Sequence, residues 1–174
     1  MSNSLKVFID IIVLIALYAT VFLNKWKAKG KTELLINSLM YIYISLVLYV
    51  TLMPIITSLP FIFNHPYTPM NIIPFDDYFS GRGDTVRQIL LNVIMMIPFG
   101  FLLPVAKKQS ISSCLFRTFL FSLGIELIQP LINGFRSADI TDLITNTMGG
   151  LLGYMLYLVF KPLINKIMTH LHTS

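Results

Sequence analysis

Five stretches of this chain, residues 7–23, 34–53, 89–105, 111–128 and 143–160, are long, apolar and almost free of charge. Each approaches the ~20 residues a helix needs to cross the hydrocarbon of a bilayer, the shorter ones borrowing from their flanks. Lipid offers a bare backbone no hydrogen-bond partner, and the alternating pattern of a barrel is absent, so the stretches read as helices. The spans fall at about 5–24, 34–53, 88–106, 111–129 and 141–160. Composition agrees: of 174 residues, 55% are hydrophobic and 12% charged, outside the range of a soluble domain. The fold class expected is all-α, a polytopic integral membrane protein built as a compact five-helix bundle. One domain, 1–174, is expected, without internal repeat. The first run lacks a basic leader and a small-residue cleavage pattern, and ends in NKWKAKGK, so it reads as a retained span.

The charges mark the connections. Lys25, Lys27, Lys29 and Lys31 join the first two spans, Lys107 and Lys108 the third and fourth, and Lys161 and Lys166 follow the fifth. An odd number of spans puts these on one side, which the positive-inside bias makes cytoplasmic, with the amino terminus outside and the carboxy terminus cytoplasmic. The net charge of +5 is then a property of the cytoplasmic face, where it meets anionic lipid, and does not argue for nucleic acid. On the outer side Arg82, Arg87 and Arg136 mingle with Asp76, Asp77, Asp84, Asp139 and Asp142, a mixture that reads as a site. Cys114 is alone, so it forms no intramolecular disulfide, and reads as a small apolar filler.

The longest connection, 54–85, holds Pro54, Pro60, Pro66, Pro69 and Pro74. That many prolines forbid one long helix and predict a proline-rich, partly extended extracytoplasmic cap between the second and third helices. Its aromatic residues, among them Phe61, Phe63 and Tyr78, suit the headgroup level.

Helical spacing gathers the polar residues of three spans into stripes. Asp139, Asp142 and Asn146 continue into Gly149, Gly150 and Gly153, a small-residue face on which another helix approaches closely. Ser122, Glu126 and Gln129 share a face of the fourth span, and Thr85, Gln88 and Asn92 one of the third. All end in the outer leaflet. Glu126 there must face the bundle interior, because an ionised carboxylate facing lipid costs a few kcal/mol; Arg87 and Arg136 are its expected partners. The turn between the fourth and fifth spans is expected at 130–137.

The blocks NIIPF (71–75), LLNVIMMIPFGFLLP (90–104), GIELIQ (124–129) and FRSADITDLITNTMGGLLGY (135–154) resemble, in order, those of the VanZ-like family of small bacterial membrane proteins. They cover about half the chain and little of the first two spans. The resemblance implies a cytoplasmic-membrane protein of the bacterial envelope. Family members tied to resistance lower susceptibility to teicoplanin and related lipoglycopeptides without altering the peptidoglycan terminus. The motif positions carried over are Asn71, Pro74, Asn92, Pro98, Gly100, Glu126, Gln129, Arg136, Asp139, Asp142 and Asn146, with no family role attached to any of them.

Each has a structural alternative. Glu126 with Arg136 or Arg87 reads equally as an architectural ion pair or an active group. Asp139 suits a helix cap. Pro98 kinks or breaks the third helix and frees carbonyls near Gly100. Met95 and Met96 read as packing, Arg117 as snorkelling to the headgroups, and His65, His170 and His172 share no ligand spacing.

Three function classes stay open. In the first, an outward pocket binds a lipid-linked or amphiphilic envelope molecule, a lipid-linked precursor or a lipoglycopeptide, with Asn71, Arg82, Arg87, Asn92, Gln129 and Asn146 as binding residues. In the second, Glu126, Arg136, Asp139 and Asp142 form an intramembrane catalytic group for a lipid phosphate or ester. There the three carboxylates act as acid and base or hold a divalent cation. In the third, the stripes join helices in a scaffold subunit. A transporter is disfavoured, since five spans show no repeated half.

Overall fold

The computed structural model describes residues 2–64, 66–132, 134 and 136–173, the last four by backbone only. His65, Phe135 and the side chains of His170 and His172 lie outside the described residues. Helix α1, Asn3–Leu17, is capped by Ser2, whose Oγ accepts the Leu5 N–H. It continues through one π-helical turn, Tyr18–Phe22, into α2, Leu23–Lys27. Gly30, at φ 107°, reverses the chain where a Cβ would be strained, and α3 spans Lys31–Thr51. The connection that follows holds a 3₁₀ turn, Leu59–Phe61, and a short helix α4, Asp76–Phe79. Then come α5, Thr85–Ala106, α6, Ile111–Ile132, and α7, Ile140–Thr173.

Among the described residues five helical segments are long and apolar enough to cross a membrane: Asn3–Lys27, α3, α5, α6 and Ile140–Thr169. The all-helical, five-span expectation holds. Two boundaries differ from the sequence reading. α6 runs through Pro130 to Ile132, so the turn begins later than residue 130. α7 continues well past 160, to Thr173, with Pro162 inside.

α7 is the centre. Of its most apolar 18-residue window 44% is buried, against 6% for the first segment. Its glycines explain why. A Cβ on Gly153 would lie 2.0 Å from the Ile97 carbonyl oxygen, one on Gly149 2.2 Å from that of Val93, and one on Gly100 2.0 Å from that of Gly150. α5 and α7 therefore meet backbone to backbone, as small-residue faces allow in lipid. The partner of the glycine stripe is the third span. Beside this contact Val47, Leu52, Met96, Phe99 and Ile125 form the core, with Phe99 stacked on Phe121 at 4.6 Å.

Pro98 does not break α5, which is continuous across it. Tyr43 donates to the Met95 carbonyl at 2.6 Å beside the proline. The carbonyl of Gly100 is the one deprived of its helical donor by Pro104, and the Cys114 thiol donates to it at 3.5 Å. Cys114 is thus more than a filler. It satisfies a backbone group in the bundle interior.

Asp10, 3% exposed inside the first span, went unremarked in the sequence because a lone acid there has no stripe around it. Its carboxylate accepts the N–H groups of Ile55 and Ile56, the latter at 3.0 Å, and ties the start of the 52–84 connection to α1. Two backbone donors replace the water that the acid has lost.

Gly153→Ala is expected to cost at least ~1–3 kcal/mol through overpacking and lower the melting temperature in detergent, whereas Gly124→Ala, with open space around it, should leave it nearly unchanged. Asp10→Leu strands two buried donors at ~1–3 kcal/mol each, so proteolysis of the 52–58 segment should accelerate; Asp10→Asn, keeping one acceptor, should fall between.

Candidate functional site

The polar stripes converge at the end of the bundle where α6 finishes and α7 begins. Glu126, 2% exposed, uses Oε2 to accept the backbone N–H of Asp139 at 3.1 Å. Among the described residues it makes no ion pair, and Arg87 instead faces Asp84 at 3.9 Å, both highly exposed. The Glu126–Arg87 and Glu126–Arg136 pairs expected from the sequence are therefore replaced by a carboxylate-to-backbone bond. An N–H at the mouth of a helix is a rigid donor already in place, whereas a long arginine must be ordered to reach.

Asp139 caps α7, its Oδ1 accepting the Thr141 N–H at 2.7 Å. Its Oδ2 also accepts from the Asn71 amide at 3.3 Å. Asn71 is pinned by its backbone as well: its N–H donates to the Ala138 carbonyl at 2.8 Å and its carbonyl accepts the Ile140 N–H at 2.9 Å. Phe75, in the left-handed region at φ 59°, donates its N–H to Thr141 Oγ1 at 2.9 Å. The NIIPF segment is thus sewn to the first turn of α7. Both ends of this seam were visible as motifs, but Thr141 was missed, having no charge to single it out.

Asp142 lies in the first turn of α7, half-buried, with the Asn92 side chain of α5 beside it. Asp77 and Asp139 lie close enough to act on its charge. One turn deeper, Asn146 is 2% exposed; its Nδ2 donates to Ser122 Oγ at 2.9 Å, while its Oδ1 has no partner among the described residues. Glu126 and Ser122 on α6 therefore face Asp142 and Asn146 on α7 in two rungs.

Arg136 is exposed and donates to the Thr51 carbonyl at 3.3 Å, as does Gln129 at 3.5 Å. The last carbonyls of a helix lack intrahelical donors, which explains why two side chains converge there. The guanidinium is near enough to act on the charges of both Glu126 and Asp142. Arg82 pairs with Asp76 and with Asp77, the latter at 2.9 Å, so its charge is already matched within the connection. The cluster thus brings together Asn71, Asn92, Glu126, Gln129, Arg136, Asp139, Asp142 and Asn146, while Arg87 stands apart with Asp84.

Among the described residues no three His, Cys, Asp or Glu side chains are grouped to hold a metal ion, so the arrangement gives no support to a cation on Glu126, Asp139 and Asp142. Chemically, the cluster offers two shielded carboxylates and an exposed guanidinium facing the same end of the bundle.

Residues 40–161 match the family model VanZ/LLP1. The chain belongs to the VanZ/LLP1 family. It is also 35% identical over 126 residues to Protein VanZ of Enterococcus faecium, covering 72% of this chain and 74% of that protein. No solved structure matches. The VanZ/LLP1 region begins within α3, so every member of the polar cluster falls inside it, while α1 and Asp10 precede it.

Glu126→Gln keeps an oxygen for the Asp139 N–H and should leave the detergent melting temperature almost unchanged; Glu126→Leu removes it and should cost ~1–3 kcal/mol, read in the same melt.

Proposed function

We propose that the polar cluster recognises the head of a lipid-linked or amphiphilic molecule of the bacterial envelope, and that the protein thereby lowers susceptibility to teicoplanin-type lipoglycopeptides. The observation that carries this reading is the exposed Arg136 guanidinium, positioned by Thr51 beside the buried carboxylate of Glu126 and the half-buried one of Asp142. A planar guanidinium free of ion pairs within 4 Å among the described residues is suited to a phosphate or carboxylate headgroup. Gln129 shares the Thr51 carbonyl with it, Asn71 and Asn92 flank the neighbouring Asp139 and Asp142, and the apolar outer faces of the spans leave the rest of an amphiphile in lipid. Membership of VanZ/LLP1 supports the resistance part. The orientation that accompanies this reading has the cluster facing outward and the lysines of 25–31, 107–108 and 161–166 in the cytoplasm.

A second reading, acid–base chemistry on a lipid phosphate or ester, is favoured by one observation: Glu126 and Asp142 lie within electrostatic reach of one another in a shielded site.

Expressed in a susceptible Gram-positive host, the wild type should raise the inhibitory concentration of teicoplanin, and Arg136→Ala should abolish the increase without changing protein level. Arg136→Lys, a point charge without the fork, should restore only part of it. Loss of resistance in Glu126→Gln and Asp142→Asn at unchanged melting temperature, with a chemically altered lipid produced by the wild type alone, would select the enzyme. If Arg136→Ala retains full resistance, the recognition reading fails.

A further inference from the structure

The first span is joined to the bundle unevenly. α3 packs more closely against α2 than against α1, and Tyr18, Phe22, Trp26 and Tyr41 lock the two together in an aromatic cluster with Phe22 and Trp26 stacked at 4.9 Å. Toward the Met53 end the helices part around a cleft of about 510 Å³. Its walls are Ile11, Leu14 and Ile15 of α1 and Ile42, Leu46 and Tyr49 of α3. Ile15, Ile42, Leu46 and Tyr49 are more than half exposed, so the cleft opens outward along a span rather than into the protein. It lies on the face of α3 away from Val47 and the core, apart from the polar cluster.

The tyrosine hydroxyls at its floor are already satisfied: Tyr18 and Ser38 share a hydrogen bond at 2.8 Å, and Tyr41 donates to the Leu14 carbonyl at 2.7 Å. The rest of the lining is almost wholly apolar. From Ile11 to Tyr18 the wall rises ~10 Å, and from Tyr41 to Tyr49 ~12 Å, approaching the ~15 Å of hydrocarbon in one leaflet. The lipid around a span reaches a cleft that opens along it without any further partner, whereas a helix of a second copy seated there would be detected as a dimer joined through α1 and α3.

We propose that this cleft binds one acyl chain of a membrane phospholipid, taken from the leaflet on the Met53 side, with its methyl end stopped at Tyr18 and Tyr41. The surrounding medium at this depth is hydrocarbon, and an empty apolar cleft forfeits dispersion contacts on both walls that one chain restores. The bound chain completes the packing of α1, which otherwise holds the bundle through the aromatic cluster below and Asp10 above. The proposal stands independently of the function assigned to the polar cluster.

Native mass spectrometry of the protein released from mild detergent should show one phospholipid retained per chain. Ser45→Phe and Leu14→Trp, which fill the cleft, should lose it, and Leu127→Trp, on the outer face of α6, should keep it. Because a filling variant can misfold, the wild type in nanodiscs supplies a second reading. Phospholipid spin-labelled near the chain end should show a motionally restricted component that unlabelled phospholipid displaces with slow exchange. Absence of retained lipid together with absence of that component overturns the proposal, as does a cross-linked dimer joined through α1 and α3.

Discussion

The backbone contact between α5 and α7 fixes everything above it. Gly100, Gly149 and Gly153 leave no room for a side chain between the two helices. At that separation Asn92 comes to lie beside Asp142. α6 then packs beside them with Thr118 against Gly150 and Ser122 against Asn146. In lipid no hydrophobic force sorts one apolar helix from another, so close packing of small residues and a few internal hydrogen bonds must choose the neighbours.

The same medium explains how polar groups are handled. The two buried acids and the half-buried cap of α7 accept backbone N–H groups: Glu126 that of Asp139, Asp10 those of Ile55 and Ile56, and Asp139 that of Thr141. Backbone donors at helix starts and in connections are already fixed, so binding them needs no further ordering. Arg82, Arg87 and Arg136 stay exposed at the end of the bundle, where their hydration is retained. Carboxylates inside and guanidinium outside give the cluster its polarity.

The stripes on 122–129 and 139–153 and the glycine face were legible because helical period alone aligns them. Asp139 as a cap was legible too, for its position before an apolar run. The partners of Glu126 were not: two arginines looked complementary by charge, and a backbone N–H carries no letter in a sequence. Asp10 and Thr51 were overlooked for related reasons. The one acts through two connection N–H groups far along the chain, the other through its carbonyl.

By itself, then, the sequence determined that this chain makes five membrane helices and which face of the third, fourth and fifth is polar, because span length and helical period are local properties set by lipid and by 3.6 residues per turn. Only the tertiary structure decided that Asn71 is sewn to the start of α7, that Glu126 answers a backbone donor, and that α1 stands off from α3 around a cleft. Those outcomes depend on how closely helices approach and on which carbonyl or N–H is left unpaired, and both are set by contacts between residues distant in the chain.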